Sequence, residues 1–388
     1  MRRRYQMWFL IGSGIIGMLL YIQSMLLAIG HHAHVSMDVF NHQLDFKFRL
    51  DKKPQPVHLT FTPQQDVQRN ASTQALTQIN DESDIPGNKS TYFIKQRFLK
   101  HYERAIESGR VPPQWQKELY QRILSNSPPK TQFYLTHLLM IRVYQSDLAK
   151  WTYRELKQWM HYMFMIGIEH IYLCEHKHLG DEDMQTRLSQ YIHLGLVTYS
   201  EVTTKVAMTA QVECYQKWVL LEGNNSKWMT SVDMDEYPYH LQDKEEGFLK
   251  RYLEDVEAKR PDISELLMDN YLMLGQGDRS KNMTIDRIRR CTPKPLNKLV
   301  KPLFKPACVR PQIHSGVVKK GRRVPANPSQ LRMLHYWGAR MQKWGPDTEK
   351  ILQMTEPFTD MVNDWVDRLR NSLLCFGEND AFSNNTGP

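Results

Sequence analysis

Cysteine is scarce: five residues in 388, at Cys174, Cys214, Cys291, Cys308 and Cys375, and no two of them stand as Cys-x-x-Cys. That spacing argues against a zinc site, and the odd count allows at most two bridges, whose connectivity the sequence leaves open. Acidic residues are also short, 42 against 51 lysines and arginines, for a formal charge of +9. Such a balance points to anionic partners: phosphates, nucleic acid or a membrane surface. The strongly basic stretch Arg279 to Arg323 contains Pro293, Pro295, Pro302, Pro306 and Pro311. It lacks a recognised nucleic-acid-binding motif, so no nucleic acid is expected as a partner. With 41% hydrophobic and 24% charged residues, most of the chain reads as globular with a real core.

The N-terminus has its own character. Arg2, Arg3 and Arg4 precede an apolar run from Met7 to Ile29, interrupted only by Gln23 and small residues. A helix of about 20 apolar residues spans a bilayer, and arginines before the span place the N-terminus in the cytoplasm. Residues 1–6 therefore read as a cytoplasmic tail and 7–29 as a signal-anchor. A cleaved signal peptide is the competing reading, but its apolar core is usually only about 7–15 residues. Residues 30–130, rich in Gln, Asn, Ser, Thr and Pro, read as a partly ordered luminal stem, with helix-like spacing from Phe93 to Leu124. Residues 377–388 read as a disordered tail. Glycan-acceptor triplets stand at Asn70, Asn88, Asn224, Asn282 and Asn384. In a luminal chain Asn70 and Asn88, in the stem, are the expected glycosylation sites. Use of Asn224 would require a surface turn there.

From Thr131 the pattern is regular. Phe133 to Tyr144 reads as a buried strand. Thr152 and Glu155 form a capping box that opens a helix with Leu156, Trp159, Met160, Met163 and Phe164 on one face, and Gly167 closes it. Strands are expected at Ile168–Cys174 and Leu196–Val202, and helices at Asp183–His193, Thr209–Leu221, Phe248–Val256 and Asp360–Leu374. This alternation predicts an α/β fold: a mostly parallel, Rossmann-like sheet flanked by helices over 131–376.

Trp228 to Val232 reads as a short core strand that runs into Asp233, Asp235 and Glu236. Three acids at a strand tip repel one another and resist burial unless a positive charge sits among them. A divalent cation with oxygen ligands, magnesium or manganese, meets that demand. In open α/β sheets ligands gather at the carboxyl ends of strands. A metal bridging two phosphate oxygens is the electrostatic need of a sugar nucleotide losing its diphosphate. Basic residues of the later segment are expected to share the phosphate charge, and His314 and His335 are candidate metal ligands.

Taken together, the region Thr131–Leu374 resembles glycosyltransferase family 92. The residues that carry the likeness are Trp159, then Gly167-Ile-Glu-His-Ile-Tyr-Leu173, then Gln211 and Cys214. Next come Lys227-Trp228 with Asp233-Met-Asp-Glu-Tyr237, then Lys301, Lys305-Pro306, His314 and His335-Tyr336. The resemblance implies a GT-A type fold in a type II Golgi membrane protein. It also implies transfer of galactose from UDP-galactose, with inversion and manganese, to a glycan on a glycoprotein, glycolipid or polysaccharide. On it, Asp235 and Asp233 are metal ligands, with Asp235 in direct contact and Asp233 otherwise facing the ribose or a metal-bound water, and Asp269 and Asp278 are candidate bases for the inverting transfer. Glu236 holds the strand end, and Gln211, Lys301 and Lys305 bind the donor. The chain departs from the family pattern at Gln158, Met163 and Glu175, where Glu, His and Asp are usual. Those departures keep a second reading open: a non-catalytic glycan- or nucleotide-sugar-binding protein on the same fold.

Overall fold

Two helices, α1 (Pro86–Glu107) and α2 (Gln114–Leu124), precede the first strand. The computed structural model describes residues 86–143, 152–177, 183–204, 206–275, 277–278, 280–295, 299–337 and 353–378. The signal-anchor over 7–29 and the acceptor Asn70 therefore lie outside the described residues. Among the described residues no helix is long and apolar enough to cross a membrane.

The alternating pattern folds as strand, helix, strand. After β1 (Phe133–Ile141) comes α3 (Tyr153–Ile166), then β2 (His170–His176). Thr152 and Glu155 close the capping box on α3, and Gly167 ends it with φ +113°, a conformation that strains any side chain with a Cβ. The helix expected over 183–193 is two short pieces, α4 (Met184–Arg187) and α5 (Ser189–His193), which meet at Leu188. Then follow β3 (Val197–Val202), α6 (Ala207–Glu222), β4 (Ser226–Thr230), β5 (Glu236–His240), α7 (Phe248–Lys259), β6 (Ile263–Met268) and β7 (Asn270–Leu272). The basic segment supplies β8 (Arg290–Cys291), β9 (Lys301–Phe304), β10 (Val309–Arg310), β11 (Val317–Val318) and β12 (Arg322–Pro325). The order closes with β13 (Leu331–His335), β14 (Glu356–Pro357) and α8 (Asp360–Phe376).

The main sheet has seven strands in the order β12-β6-β9-β4-β1-β2-β3. Every neighbouring pair is parallel except the two that involve β9. A strand reversed between β4 and β6 is not visible in the alternation, because Pro302 and Pro306 make the segment look irregular. The Pro302 carbonyl accepts from the Thr230 hydroxyl at 2.9 Å. A second sheet, β5-β13-β7, pairs β13 antiparallel to β5 and parallel to β7.

The stem expected up to residue 130 begins to fold earlier than that boundary. Phe98, Leu99, Tyr102 and Leu119 of α1 and α2 belong to the main hydrophobic core. Phe98 packs on Phe376 with ring centres 5.5 Å apart, and Gln116 donates to the Ser372 carbonyl at 2.7 Å. The amphipathic spacing from Phe93 thus marks domain, not stem. At the other end Glu378, expected in a tail, is buried and pairs with the Lys157 ammonium at 2.7 Å. Of the cysteines, Cys174 on β2 and Cys214 on α6 form a disulfide, and Cys291, Cys308 and Cys375 are free thiols.

Several histidines are locked into the core. His161 bonds Ser372 Oγ at 2.8 Å and Tyr191 Oη at 2.9 Å. Burial lowers its pKa well below the usual imidazole value, takes His170 to about 4 and takes His137 to about 3. Each such ring is neutral in the fold and protonates more readily when unfolded. It therefore contributes stability above pH about 6.5 and loses it as pH falls towards the folded value, by up to about 1.4 kcal/mol per pH unit per ring. Glu236, which burial pushes up to about 7, opposes this over the same range, but three rings outweigh one carboxyl. The melting temperature is expected to fall steadily between pH 6.5 and 4.5. A flat profile in differential scanning calorimetry over that range would contradict the neutral-core assignment.

Candidate functional site

The acids lie on the loop 231–235 and the first residue of β5, at the carboxyl end of β4, whose last residue Thr230 pairs with His137 in the middle of β1. Neighbours on several elements fix this loop through its backbone. Trp159 Nε1 on α3 donates to the Glu236 carbonyl at 2.9 Å, and His137 Nε2 on β1 to the Val232 carbonyl at 3.1 Å. The Tyr336 amide donates to the Asp235 carbonyl at 2.7 Å, and the Glu236 amide to the Asp233 carbonyl at 2.9 Å. A loop with this many carbonyls and amides engaged has little freedom to change the aim of its side chains.

The positive charge among the acids comes from the chain itself. Lys301, at the start of β9 and 1% exposed, places its ammonium 2.7 Å from Asp233 Oδ2 and 3.0 Å from Glu236 Oε2. Glu236 Oε2 also accepts from the Asp233 amide at 2.7 Å. Gln211 Nε2 on α6 donates to Asp233 Oδ1 at 2.9 Å and to the Tyr215 hydroxyl at 2.8 Å. Burial pushes the Asp233 carboxyl up, but Lys301 overrides it and holds the group below the ordinary aspartate value. The Asp233 side chain is 40% exposed, so solvent screens part of this attraction. Glu236 is raised to about 7, by burial first and only partly relieved by Lys301. Lys301 loses by burial and gains more from Asp233 and Glu236, so its pKa is raised and it stays charged.

Asp235 faces a different partner. The second sheet sets His335 opposite Glu236, with His335 Nε2 3.2 Å from Asp235 Oδ2 and Nδ1 3.9 Å from Glu236 Oε1. Asn270 on β7 lies behind that ring, its Nδ2 3.4 Å from His335 Nδ1, and its buried Oδ1 has no hydrogen-bond partner. His314 sits in the half-buried turn after Pro311, within electrostatic reach of Lys301, Asp233 and His335. Burial, then Lys301, lowers it to about 4. It is a neutral ring with a buried Nδ1 that lacks a partner.

The structure thus brings together Asp233, Asp235, Glu236, Gln211, Lys301 and His335, with His314 nearby. It does not bring Lys305. Because β9 runs antiparallel, four residues at about 3.3 Å each carry Lys305 to the opposite edge of the sheet. There its ammonium is 3.3 Å from Glu257 and 5.0 Å from the centre of the Trp228 ring. Asp233, expected among the metal ligands, has both carboxylate oxygens engaged by Lys301 and Gln211. Neither proposed base reaches the acids. Asp269 is half-buried between β6 and β7, where its charge acts on Tyr271, while its neighbour Asn270 takes the place beside His335. Asp278 is exposed on a turn, where its Oδ1 accepts from the Ser280 amide at 2.9 Å. Asn270, beside Asp269 in the sequence, is the residue of that stretch that reaches the site, and it is not among the residues expected there from the sequence.

Among the described residues no three His, Cys, Asp or Glu side chains converge as metal ligands. Asp235 and His335 nevertheless fit a magnesium- or manganese-like ion. Such ions take one or two protein carboxylates and complete their shell with water and substrate phosphate, and a neutral imidazole is a competent donor.

No known protein family and no curated protein matches the chain in sequence. Among solved structures, Staphylococcus aureus TarS 1–349 in complex with UDP-GlcNAc is similar at 10% identity and a TM-score of 0.32, over 66% of this chain and 74% of that one. A second structure of TarS 1–349 matches at 12% identity and TM-score 0.28, and there the match spans about half of each chain, 45% and 48%. A cytidylyltransferase from Leptospira borgpetersenii matches at 7% identity and TM-score 0.25, over 45% of this chain and 62% of that one. Likenesses this distant carry no argument about the site, which stands on its own geometry.

Replacing Lys301 by Met should cost about 3–5 kcal/mol of unfolding free energy, because it leaves two carboxyls without their buried ammonium. Adding Glu236→Gln to the same chain should restore part of that loss, a coupling that a double-mutant cycle in urea resolves. A loss below about 1 kcal/mol, within the range of a surface pair, would show that Lys301 does not hold the loop.

Proposed function

We propose that this chain is a glycosyltransferase that moves a hexose from a UDP-sugar to a glycan acceptor with the help of a divalent cation. Galactose, inversion and manganese follow from the family 92 resemblance. The observation that carries the reading is the division of labour among the acids. Lys301 neutralises Asp233 and Glu236 inside the fold, which leaves Asp235 and His335 paired at the carboxyl edge of the sheet, where a diphosphate can approach.

In this reading Asp235 and His335 hold the cation, which when bound withdraws charge from the leaving diphosphate. Asp233 is kept ionised by Lys301 and half-open to solvent, so its carboxylate can accept a hydrogen bond from a ribose hydroxyl. Gln211 and Tyr215 brace Asp233 from the α6 side. Glu236, locked between Lys301 and the Asp233 amide, keeps the loop from closing on itself when the donor is absent. His314 presents a neutral ring beside this group.

The departures from the family pattern support catalysis rather than its loss, because they fall in the packing. Gln158 is buried and accepts from the Thr284 amide at 2.9 Å, and its Nε2 donates to the Asn282 carbonyl at 2.9 Å. Met163 is fully buried in the main core. Glu175 accepts from the Tyr199 hydroxyl. The location that fits is the Golgi membrane, with the apolar run 7–29 as anchor and the folded domain in the lumen. A buried disulfide between Cys174 and Cys214 supports an oxidising compartment.

The purified luminal part should hydrolyse or transfer from a UDP-sugar in the presence of manganese. Asp235→Ala should lower the rate by about 10²-fold or more, as loss of a group acting on developing charge does. Lys305→Ala, on the far edge of the sheet, should leave the rate unchanged. If the wild-type protein and Asp235→Ala are equally silent across donors and glycan acceptors, the enzyme reading fails and a binding role on the same fold takes its place.

A further inference from the structure

One glycan-acceptor triplet is presented in the open by the fold: Asn224-Asn225-Ser226. Asn224 is exposed on the short 3₁₀ turn Gly223–Asn225 that links α6 to β4. The surface turn that its use requires is therefore present. Asn282, by contrast, is half-buried and its carbonyl accepts from Gln158 Nε2 at 2.9 Å.

The surroundings of Asn224 suit a bulky attachment. A cleft of about 440 Å³ opens beside the turn, lined by Lys130, Phe133, Tyr172, Tyr199, Glu222 and Asn225. It lies where β1, β2 and β3 begin, the opposite edge of the sheet from the one where the acid loop sits. A sugar chain leaving Asn224 meets an open, partly aromatic surface and stays clear of Asp235 and His335. A second, independent observation concerns the compartment. Cys174 and Cys214 are fully buried and bridged, which requires an oxidising environment during folding. That is the setting in which Asn-x-Ser/Thr triplets are modified.

We propose that Asn224 carries an N-linked glycan in the mature protein. The inference rests on the luminal orientation of the functional reading above. The donor is a lipid-linked oligosaccharide diphosphate. A bond forms between its anomeric carbon and Asn224 Nδ2, the bond from that carbon to the diphosphate oxygen breaks, and the displaced amide proton leaves with the diphosphate. Attachment precedes folding, while the Ser226 hydroxyl is still accessible. Only afterwards does that hydroxyl become buried and accept from Thr136 Oγ1 at 2.9 Å.

The test is expression of the full chain in a cell with a secretory pathway. The glycans are released enzymatically in ¹⁸O water, and both the glycan sites and the Cys174–Cys214 bridge are mapped by mass spectrometry. The expected result is ¹⁸O-labelled aspartate at position 224. Asn224→Gln should lose the electrophoretic shift of one glycan, and Ser226→Thr, which preserves the triplet, should keep it. An unmodified Asn224 in molecules whose Cys174–Cys214 bridge is closed overturns the proposal while leaving the luminal reading standing. Reduced Cys174 and Cys214 with no sugar at any triplet overturns both.

Discussion

A single buried ammonium organises this site. Lys301 sits between Asp233 and Glu236 with almost no exposure to water, and the buried ammonium and the buried Glu236 are tolerable in the interior because they face each other and the half-exposed Asp233. Two carboxylates at this separation repel and resist burial. One ammonium between them, with a backbone amide on Glu236 and a side-chain amide on Asp233, engages three of their four oxygens. The arrangement also fixes charge: Lys301 holds Asp233 ionised, while burial raises the Glu236 carboxyl above the ordinary glutamate value. The loop that joins β4 to β5 is thus shaped before any ligand arrives.

The reversed strand β9 exists in service of that contact. It inserts between β4 and β6 and pairs antiparallel with both. Its first residue therefore lies at the carboxyl edge of the parallel strands and its last at the amino edge. Lys301 meets the acids, and Lys305, four residues on, meets Glu257 and Trp228 instead. A parallel β9 would exchange the two lysines. The second sheet makes the complementary choice for Asp235, since β13 brings His335 to it and β7 brings Asn270 behind His335. The buried disulfide between β2 and α6 then anchors the helix turn that carries Gln211 and Tyr215, so the brace on Asp233 is tied to the sheet covalently.

The capping box at Thr152 and Glu155, the left-handed Gly167, the helix and strand alternation, and the acid cluster at the end of an apolar strand were all legible, because each is a local pattern of residues close in sequence. Three acids at a strand tip do require a positive charge, and for Asp233 and Glu236 an internal lysine 65 positions or more away in sequence supplies it. Helices α1 and α2 show the same limit. Their amphipathic spacing was visible, but their place in the core depends on Phe98 meeting Phe376 and Gln116 meeting Ser372 across the chain.

By itself, then, the sequence determined the α/β class, the positions of most elements and the acidic loop as the place where chemistry concentrates. Hydrophobic period, caps and glycines act over a few residues, and a reader of the chain sees them directly. Only the tertiary structure decided which lysine faces the acids, that Asp235 is set apart with His335, that Asn270 rather than Asp269 backs that histidine, and that Cys174 bonds Cys214. Those outcomes depend on strand direction and sheet order. Both are set by the burial of the whole core, and no short stretch of the chain encodes them alone.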